Sequence, residues 1–256
     1  MRSDAELVDL IATAEERAQP LPPLTDEIGA ASRGYNVQSG LIERALADGR
    51  RLAGRKIGLT SKIVQEQLGV HEPIHGPIFV DRVLPTGSVL PWSEMIAPKV
   101  EPELAFTFRH DVIDSGLSQS ELAEHIAHVR PAIEVVDSRI KDWGFGLPDM
   151  IADYAVGRFV VLSEMSLDAR SLDLASLGVT AFRNDENVGH GTGAACLGHP
   201  LTALQWLVEQ RITDGEPMRA GDLVITGSMT PVLPLEQGDV YRCVFDHLGE
   251  VSFSTR

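Results

Sequence analysis

The segment Pro98-Lys99-Val100-Glu101-Pro102-Glu103-Leu104-Ala105-Phe106 constrains this chain more than any other. Drawn out as a strand, its side chains alternate between two faces. Val100, Leu104 and Phe106 read as core. Glu101 and Glu103 share the opposite face, about 7 Å apart along the chain. A solvated face is the ordinary fate of an isolated Glu-x-Glu, and such a motif is weak on its own. A third acid argues against that fate here. Glu134 stands in an equally apolar run, Pro131-Ala132-Ile133-Glu134-Val135-Val136, and acidic residues are almost never fully buried without a partner. Like charges on one face repel unless something positive lies between them. A hard divalent cation is the usual answer, because it prefers carboxylate oxygens. Glu101, Glu103 and Glu134 are therefore candidate metal ligands.

The chain has 256 residues, enough for one large domain or one domain with an extension, and 43% of them are hydrophobic, enough for a sizeable core. A net charge of −15 argues against nucleic acid or an anionic membrane as partner. Cys196 and Cys243 have no metal-ligand spacing and read as buried thiols, which fits a reducing cytoplasm. No apolar run is long enough to span a membrane, and the N-terminus lacks the basic-then-apolar pattern of a signal peptide. A cytoplasmic protein is the expectation.

Ser3-Asp4-Ala5-Glu6 has the form of a capping box, followed by Leu7, Leu10, Ile11 and Ala14 at helical spacing. Pro20 to Leu24 reads as an extended connector. A second helix is expected from about Ser32 to Asp48-Gly49. Residues 1–53 thus read as an N-terminal helical extension and 54–256 as a β-rich catalytic domain. Arg55 to Ser61 reads as a strand and glycine turn, with a helix from Lys62 to Leu68 closed by Gly69. Lys56 lies among apolar neighbours close before that helix, which makes it a candidate carboxylate-binding or acid/base lysine, although lysines are mostly exposed. Asp81 follows Ile78-Phe79-Val80 and could close over a site, although a turn is the commoner place for such an aspartate. His75 is a candidate pocket residue.

Further on, Ser118 to Glu121 is a second capping box, and Arg139 is expected to form a structural ion pair with Asp137 or another acid. Gly144 to Pro148 reads as a mobile loop and candidate lid. The glycines of Gly189-His190-Gly191-Thr192-Gly193 lack the lysine of a phosphate-binding loop. His199-Pro200 opens an amphipathic helix. Gly227 to Pro231 follows a strand, and its hydroxyls suit either a ligand carboxylate or a plain turn. Strands and helices mix irregularly from residue 54 onward, which favours α+β over a doubly wound sheet.

Lys56 to Lys62, Glu101-Pro102-Glu103, Pro131 to Arg139 and Leu197-Gly198-His199-Pro200, in that order, resemble the fumarylacetoacetate hydrolase superfamily. The branch they resemble contains the 2-hydroxypenta-2,4-dienoate (2-oxopent-4-enoate) hydratases and 4-oxalocrotonate decarboxylases. The resemblance covers roughly residues 35–256. It implies a mixed β-roll or sandwich core behind an N-terminal helical region, homo-oligomers, and Mg²⁺ or Mn²⁺ held by Glu101, Glu103 and Glu134. The family's lysine matches Lys56 and its loop aspartate matches Asp81, both with catalytic roles. Thr60, Ser61, Ser228 and Thr230 are the expected substrate-binding hydroxyls.

The implied substrate is a short 2-hydroxy-dienoate or its 2-oxo tautomer from aromatic meta-cleavage catabolism. The implied reaction is addition of water, with decarboxylation of 2-oxohex-3-enedioate as the alternative. A complex with the sister pathway enzyme is also implied. Arg139-Ile140-Lys141-Asp142-Trp143 is hydratase-like, whereas Gly157-Arg158-Phe159-Val160 is closer to the decarboxylases. Tyr154 and Val156 stand where hydratases carry Asn and Ser. The loss of a polar side chain at Val156 bears on substrate choice.

Overall fold

The computed structural model describes residues 2–256. Three helices come first: α1 (Asp4–Arg17), α2 (Thr25–Ile28) and α3 (Ala31–Ala47). Ser3 caps α1 as its sequence predicts, its side chain accepting from the Glu6 N–H while the Glu6 carboxylate accepts from the Ser3 N–H. Leu7 and Ile11 of α1 and Val37 and Leu41 of α3 are buried together with Phe79, Ile140 and Tyr154. The helical region is therefore packed onto the strands that follow. The turn of α2 lies in the stretch after the expected extended connector. Its N-terminus is tied down by Asp149, which accepts from the Leu24 N–H and from the Thr25 hydroxyl.

The remainder runs β1 (Leu52–Gly58), α4 (Lys62–Leu68), β2 (Ile74–Phe79), β3 (Val83–Pro85), β4 (Ser88–Leu90) and β5 (Lys99–Phe108). Then come α5 (Gln119–Glu124), β6 (Ile126–Val136), α6 (Leu147–Ala152), β7 (Gly157–Leu162), β8 (Gly178–Arg183) and β9 (Glu186–Thr192). The chain ends with α7 (Pro200–Thr213), β10 (Leu223–Ile225), β11 (Leu233–Pro234), β12 (Val240–Phe245) and β13 (Gly249–Thr255). The strands form a mixed sheet in the order β2-β1-β10-β5-β6-β7-β3, with β11 also on β5, and a second sheet in the order β4-β13-β12-β8-β9. This is the α+β architecture expected from the irregular order of elements, a β-sheet core with helices at its N-terminal end.

Alternation along the strands assigns the faces. Val100, Leu104 and Phe106 of β5, with Ile133 and Val135 of β6, face Tyr241, Cys243, Phe245 and Phe253 of the second sheet, and this is the main core. The other face of the large sheet carries a smaller cluster: Ala105, Ala132, Val160, Ile225 and Ile78. Ile78 of β2 and Val160 of β7 fall in this same cluster and the two strands touch, so the sheet rolls around that face. Glu101, Glu103 and Glu134 lie on this inner face. The β10–β11 segment uncovers them. β10 pairs with β5 opposite Ala105, and pairing resumes only at β11 opposite Val100. Between those points the chain bulges away and reaches back to β5 through the Met229 N–H on the Pro102 carbonyl and the Gly227 N–H on the Glu103 side chain. Among the described residues, no helix is long and apolar enough to cross a membrane.

Candidate active site

The antiparallel register of β5 on β6 sets Glu101 directly opposite Glu134, with Glu103 two residues further along β5. One carboxylate oxygen from each of the three lies within 4.8 Å of the others. Glu103 and Glu134 are buried and Glu101 is half-buried. Glu103 Oε2 accepts from the Gly227 N–H (2.7 Å). Its Oε1 is buried with no hydrogen-bond partner among the described residues. Such an oxygen costs free energy unless something positive meets it. Gly227 has φ +100°, and a side chain there would collide with Thr60, so a glycine is required where the bulge approaches the carboxylate.

Lys56, central in β1, is 3% exposed. Its Nζ stands 3.0 Å from Glu134 Oε2 and donates to the Ala155 carbonyl at 3.0 Å. Burial works against its positive charge, but Glu134, Glu101 and Glu103 outweigh burial and raise its pKa, so it is an ammonium. Burial also raises the carboxylates. Glu134 is pushed up to about 7 despite Lys56. Glu103 goes well above the usual range, because Glu134 and Glu101 add to burial. One ammonium does not balance three clustered carboxylates. Hard oxygen donors, an orphaned buried oxygen and carboxyls whose pKa values crowding and burial raise together fit a divalent cation, and this cluster can hold one.

The carbonyl that receives Lys56 belongs to an unusual turn. Tyr154, Ala155 and Val156 have φ of 56°, 51° and 57°, three consecutive non-glycine residues in the left-handed region. The buried pair Arg139–Asp153 holds the turn in place. Asp153 accepts from the Arg139 N–H and guanidinium and from the Ser138 hydroxyl, while Arg139 donates to the Asp153 and Asp137 carbonyls. Arg139 thus forms the expected structural ion pair, and its partner is Asp153.

Glu101, at the edge of the cluster, opens into a cavity of about 770 Å³, with Glu103 and Glu134 buried behind it. Lys56, Glu101, Thr60, Ser61, Ser228 and Thr230 line it, so the hydroxyls singled out in the sequence share one space. Ser61 precedes α4 without making a side-chain cap bond. Ser228 Oγ donates to the Thr230 carbonyl and Thr230 Oγ1 to the Pro231 carbonyl, so these two hydroxyls are engaged within their own turn.

Asp81 is not brought to this site. It sits in a 3₁₀ turn after β2, half exposed, in a closed ring of alternating charges: Arg50–Asp81–Arg82–Glu94–Arg158–Glu15 and back to Arg50. Strand β2 ends at Phe79, and the turn aims the carboxylate at two arginines. His75 is buried in β2 between the rings of Tyr35 and Trp206 and does not line the cavity. The Gly144–Pro148 segment leads into α6, with the Gly146 N–H donating to Thr25 and to Asp149. The two departures from the hydratase pattern also separate. The Val156 side chain lines the cavity, whereas the Tyr154 ring packs edge-on against Phe79, away from it.

Other contributors were missed from sequence. Lys99 lines the cavity with its ammonium 3.8 Å from the Trp143 ring centroid. Its signal was present, since Lys99 shares the Glu101/Glu103 alternation. The Gly227 N–H and the Ala155 carbonyl are backbone groups, and no residue type announces them.

A family model described as fumarylacetoacetate (FAA) hydrolase C-terminal matches residues 69–254. The chain is 37% identical over 248 residues to a 2-keto-4-pentenoate hydratase of Paraburkholderia xenovorans strain LB400, covering 96% of this chain and 92% of that one. It is 33% identical over 239 residues to a 2-hydroxyhexa-2,4-dienoate hydratase of Comamonas testosteroni, covering 92% and 90%. Among solved structures, 4-oxalocrotonate decarboxylase of Pseudomonas putida G7, complexed with magnesium and adipate, superposes with a TM-score of 0.95 at 30% identity, covering 99% of this chain and 97% of that one.

Proposed function

The chain belongs to the fumarylacetoacetate hydrolase superfamily, in the branch of the 2-keto-4-pentenoate hydratases and 4-oxalocrotonate decarboxylase, and from that premise we propose that it is a divalent-cation-dependent hydratase. Its substrate is a short 2-hydroxy-2,4-dienoate, in equilibrium with 2-oxo tautomers, and its product the 4-hydroxy-2-oxo acid. The observation that carries this reading is Lys56, an ammonium fixed beside three clustered carboxylates at the floor of a largely apolar cavity.

Glu101, Glu103 and Glu134 would hold the cation, Mg²⁺ or Mn²⁺. When bound, it supplies Lewis-acid stabilisation of the negative charge that develops on the substrate's 2-oxygen. The chain's own residues orient the acid and move protons. Moving a proton from the 2-hydroxyl to C5 gives the 2-oxo-3-enoate. Water then adds across C3–C4, its oxygen to C4 and a proton to C3. Lys56 Nζ has one N–H left beyond its bond to Ala155 and its ion pair with Glu134, and it serves as substrate anchor and proton donor. Ser61, free of cap bonding, and Thr60 offer hydroxyls to the substrate carboxylate. Ser228 and Thr230 shape the opposite side through the turn they brace.

The second reading is decarboxylation of 2-oxohex-3-enedioate. Lys99 favours it, as a second cation on the cavity wall that could meet a second carboxylate. A paired assay with Mg²⁺ separates the two, with EDTA controls. Metal-dependent conversion of fresh 2-hydroxypenta-2,4-dienoate to 4-hydroxy-2-oxopentanoate is the expected result. Release of CO₂ from the diacid alone would make the enzyme a decarboxylase, and no turnover of either would overturn both readings.

A further inference from the structure

The cavity is larger and more apolar than a five-carbon acid requires. Its volume of about 770 Å³ falls in the range of roughly 300–1,000 Å³ seen for drug-sized ligands. Its polar groups are not spread evenly. Lys99 of β5 pairs with Val136 of β6 one alternation beyond the Glu101–Glu134 pair, so the wall past the glutamates begins at Val136. Leu59, Trp143, Phe145, Met150 and Val156 continue it. All six belong to or pack against one apolar cluster, backed by Ile74, Ile151 and Tyr35. An apolar wall turned towards a water-accessible cavity favours an apolar occupant. Val156 carries this furthest, because it puts a branched hydrocarbon where a hydrogen-bonding side chain would suit a polar ligand.

We propose, building on the hydratase reading above, that this wall is a tail subsite and that the substrate is a monocarboxylic 2-oxo-4-enoate with an alkyl or aryl substituent longer than methyl beyond C5. The 2-oxo acid end lies at Lys56 and the glutamates, and the tail lies along Val136, Trp143, Phe145, Met150 and Val156. A terminal carboxylate on most of this wall would lose its hydration without a partner. Lys99 is the exception at one edge, and its ammonium already rests on the Trp143 ring.

Calorimetric titration of the Mg²⁺-loaded enzyme with saturated, unreactive 2-oxo acids tests this without turnover. The probes are 2-oxopentanoate, 2-oxooctanoate, 2-oxo-6-phenylhexanoate and the diacid 2-oxohexanedioate. Affinity should rise about fourfold per added methylene, with the phenyl acid at least as tight as 2-oxooctanoate. Val156→Asn should lower the long-to-short affinity ratio at least fivefold. The left-handed backbone at this position suits Asn better than Val, so the backbone does not penalise this variant, and circular dichroism checks that the buried amide leaves the fold intact. Phe145→Ala is the second variant and should lower the same ratio. Equal affinity for 2-oxopentanoate and 2-oxooctanoate would overturn the tail subsite and leave the hydratase reading standing. So would tightest binding of the diacid, abolished by Lys99→Met. Absence of Mg²⁺-dependent binding by every probe, 2-oxopentanoate included, would overturn the hydratase reading and the subsite with it.

Discussion

Lys56 Nζ and the Ala155 carbonyl meet at 3.0 Å across the cavity floor, joining the centre of β1 to the middle of a left-handed turn. The bond fixes a side chain that would otherwise have many rotamers, and holds its Nζ 3.0 Å from Glu134 on the cavity wall. Lys56→Met should lower kcat by about 10²–10⁴-fold, the usual contribution of a positioned acid or base. Lys56→Arg should not restore it, because a planar fork cannot take the place of a compact ammonium between a carbonyl and a carboxylate. Steady-state kinetics beside a circular dichroism spectrum checks this. Native-like folding with more than a tenth of wild-type kcat in Lys56→Met would remove the lysine from the mechanism.

The carboxylate cluster predicts a metal-dependent stability. A cation that binds the folded chain and not the unfolded one stabilises it by about 2.7 kcal/mol at a hundred times its dissociation constant. Mg²⁺ should therefore raise the melting temperature of EDTA-treated protein, and activity should return with it. Glu103→Gln removes a charge from the most enclosed member of the cluster and should abolish the shift. The same substitution should leave the metal-free protein at least as stable as wild type, since a neutral amide relieves like-charge crowding at a buried site. An unchanged Mg²⁺ shift in Glu103→Gln would exclude this cluster as the metal site.

Arg139 and Asp153 predict a different failure. Both are buried, and each is the other's principal counter-charge. Asp153→Asn leaves a buried guanidinium without it, a change that costs about 3–5 kcal/mol when such a pair is broken. The turn carrying Ala155 hangs from this pair, so kcat should fall as well, even in the fraction that folds. Urea midpoints and kinetics on the same preparation measure both effects. A loss under 1 kcal/mol with full activity would mean the turn holds itself.

How far these features could be read in advance depends on the kind of information each needs. Glu101, Glu103 and Glu134 were legible because strand alternation is local and because a charge inside an apolar run contradicts its surroundings. Lys56 was legible for the same reason. Their meeting was not, since it needs the register Glu101↔Glu134, which no local pattern encodes. The left-handed Tyr154-Ala155-Val156 turn runs against the propensities of those residues, and it is tied down by tertiary bonds, with the Arg139–Asp153 pair at its base and Lys56 on the Ala155 carbonyl. Asp81 is the opposite case. An acid after an apolar run looks like a site residue, yet in the structure its carboxylate pairs with Arg50 and Arg82, one of them far away in sequence.

Asp81→Asn should accordingly be mild. Its side chain is 48% exposed, and exposed ion pairs contribute about 0–1 kcal/mol. We expect kcat/KM within about twofold of wild type, the ordinary scale for a surface change outside the site. A hundredfold loss would show that Asp81 reaches the substrate in a conformation other than this one.

His75 predicts a pH dependence independent of the carboxylate cluster. Burial holds its pKa down at about 3, with Arg211 of α7 and Arg55 of β1 adding to the effect. Its ring lies 4.9 Å from that of Tyr35 and 6.2 Å from that of Trp206, and its Nδ1 has no partner among the described residues. In the unfolded chain the same imidazole titrates near 6.5. Between those values the unfolded state binds the proton and the folded state does not. The stabilisation is thus complete above pH 6.5 and drains away as pH falls towards 3, by about 2 kcal/mol at pH 5. Other groups titrate in the same window, so the difference between two proteins is the measurement. His75→Phe keeps a ring between Tyr35 and Trp206 and removes the proton site. Its stability, measured by urea unfolding at pH 7.5 and pH 5, should fall less than that of wild type. Parallel losses in the two proteins would place the buried histidine's titration elsewhere.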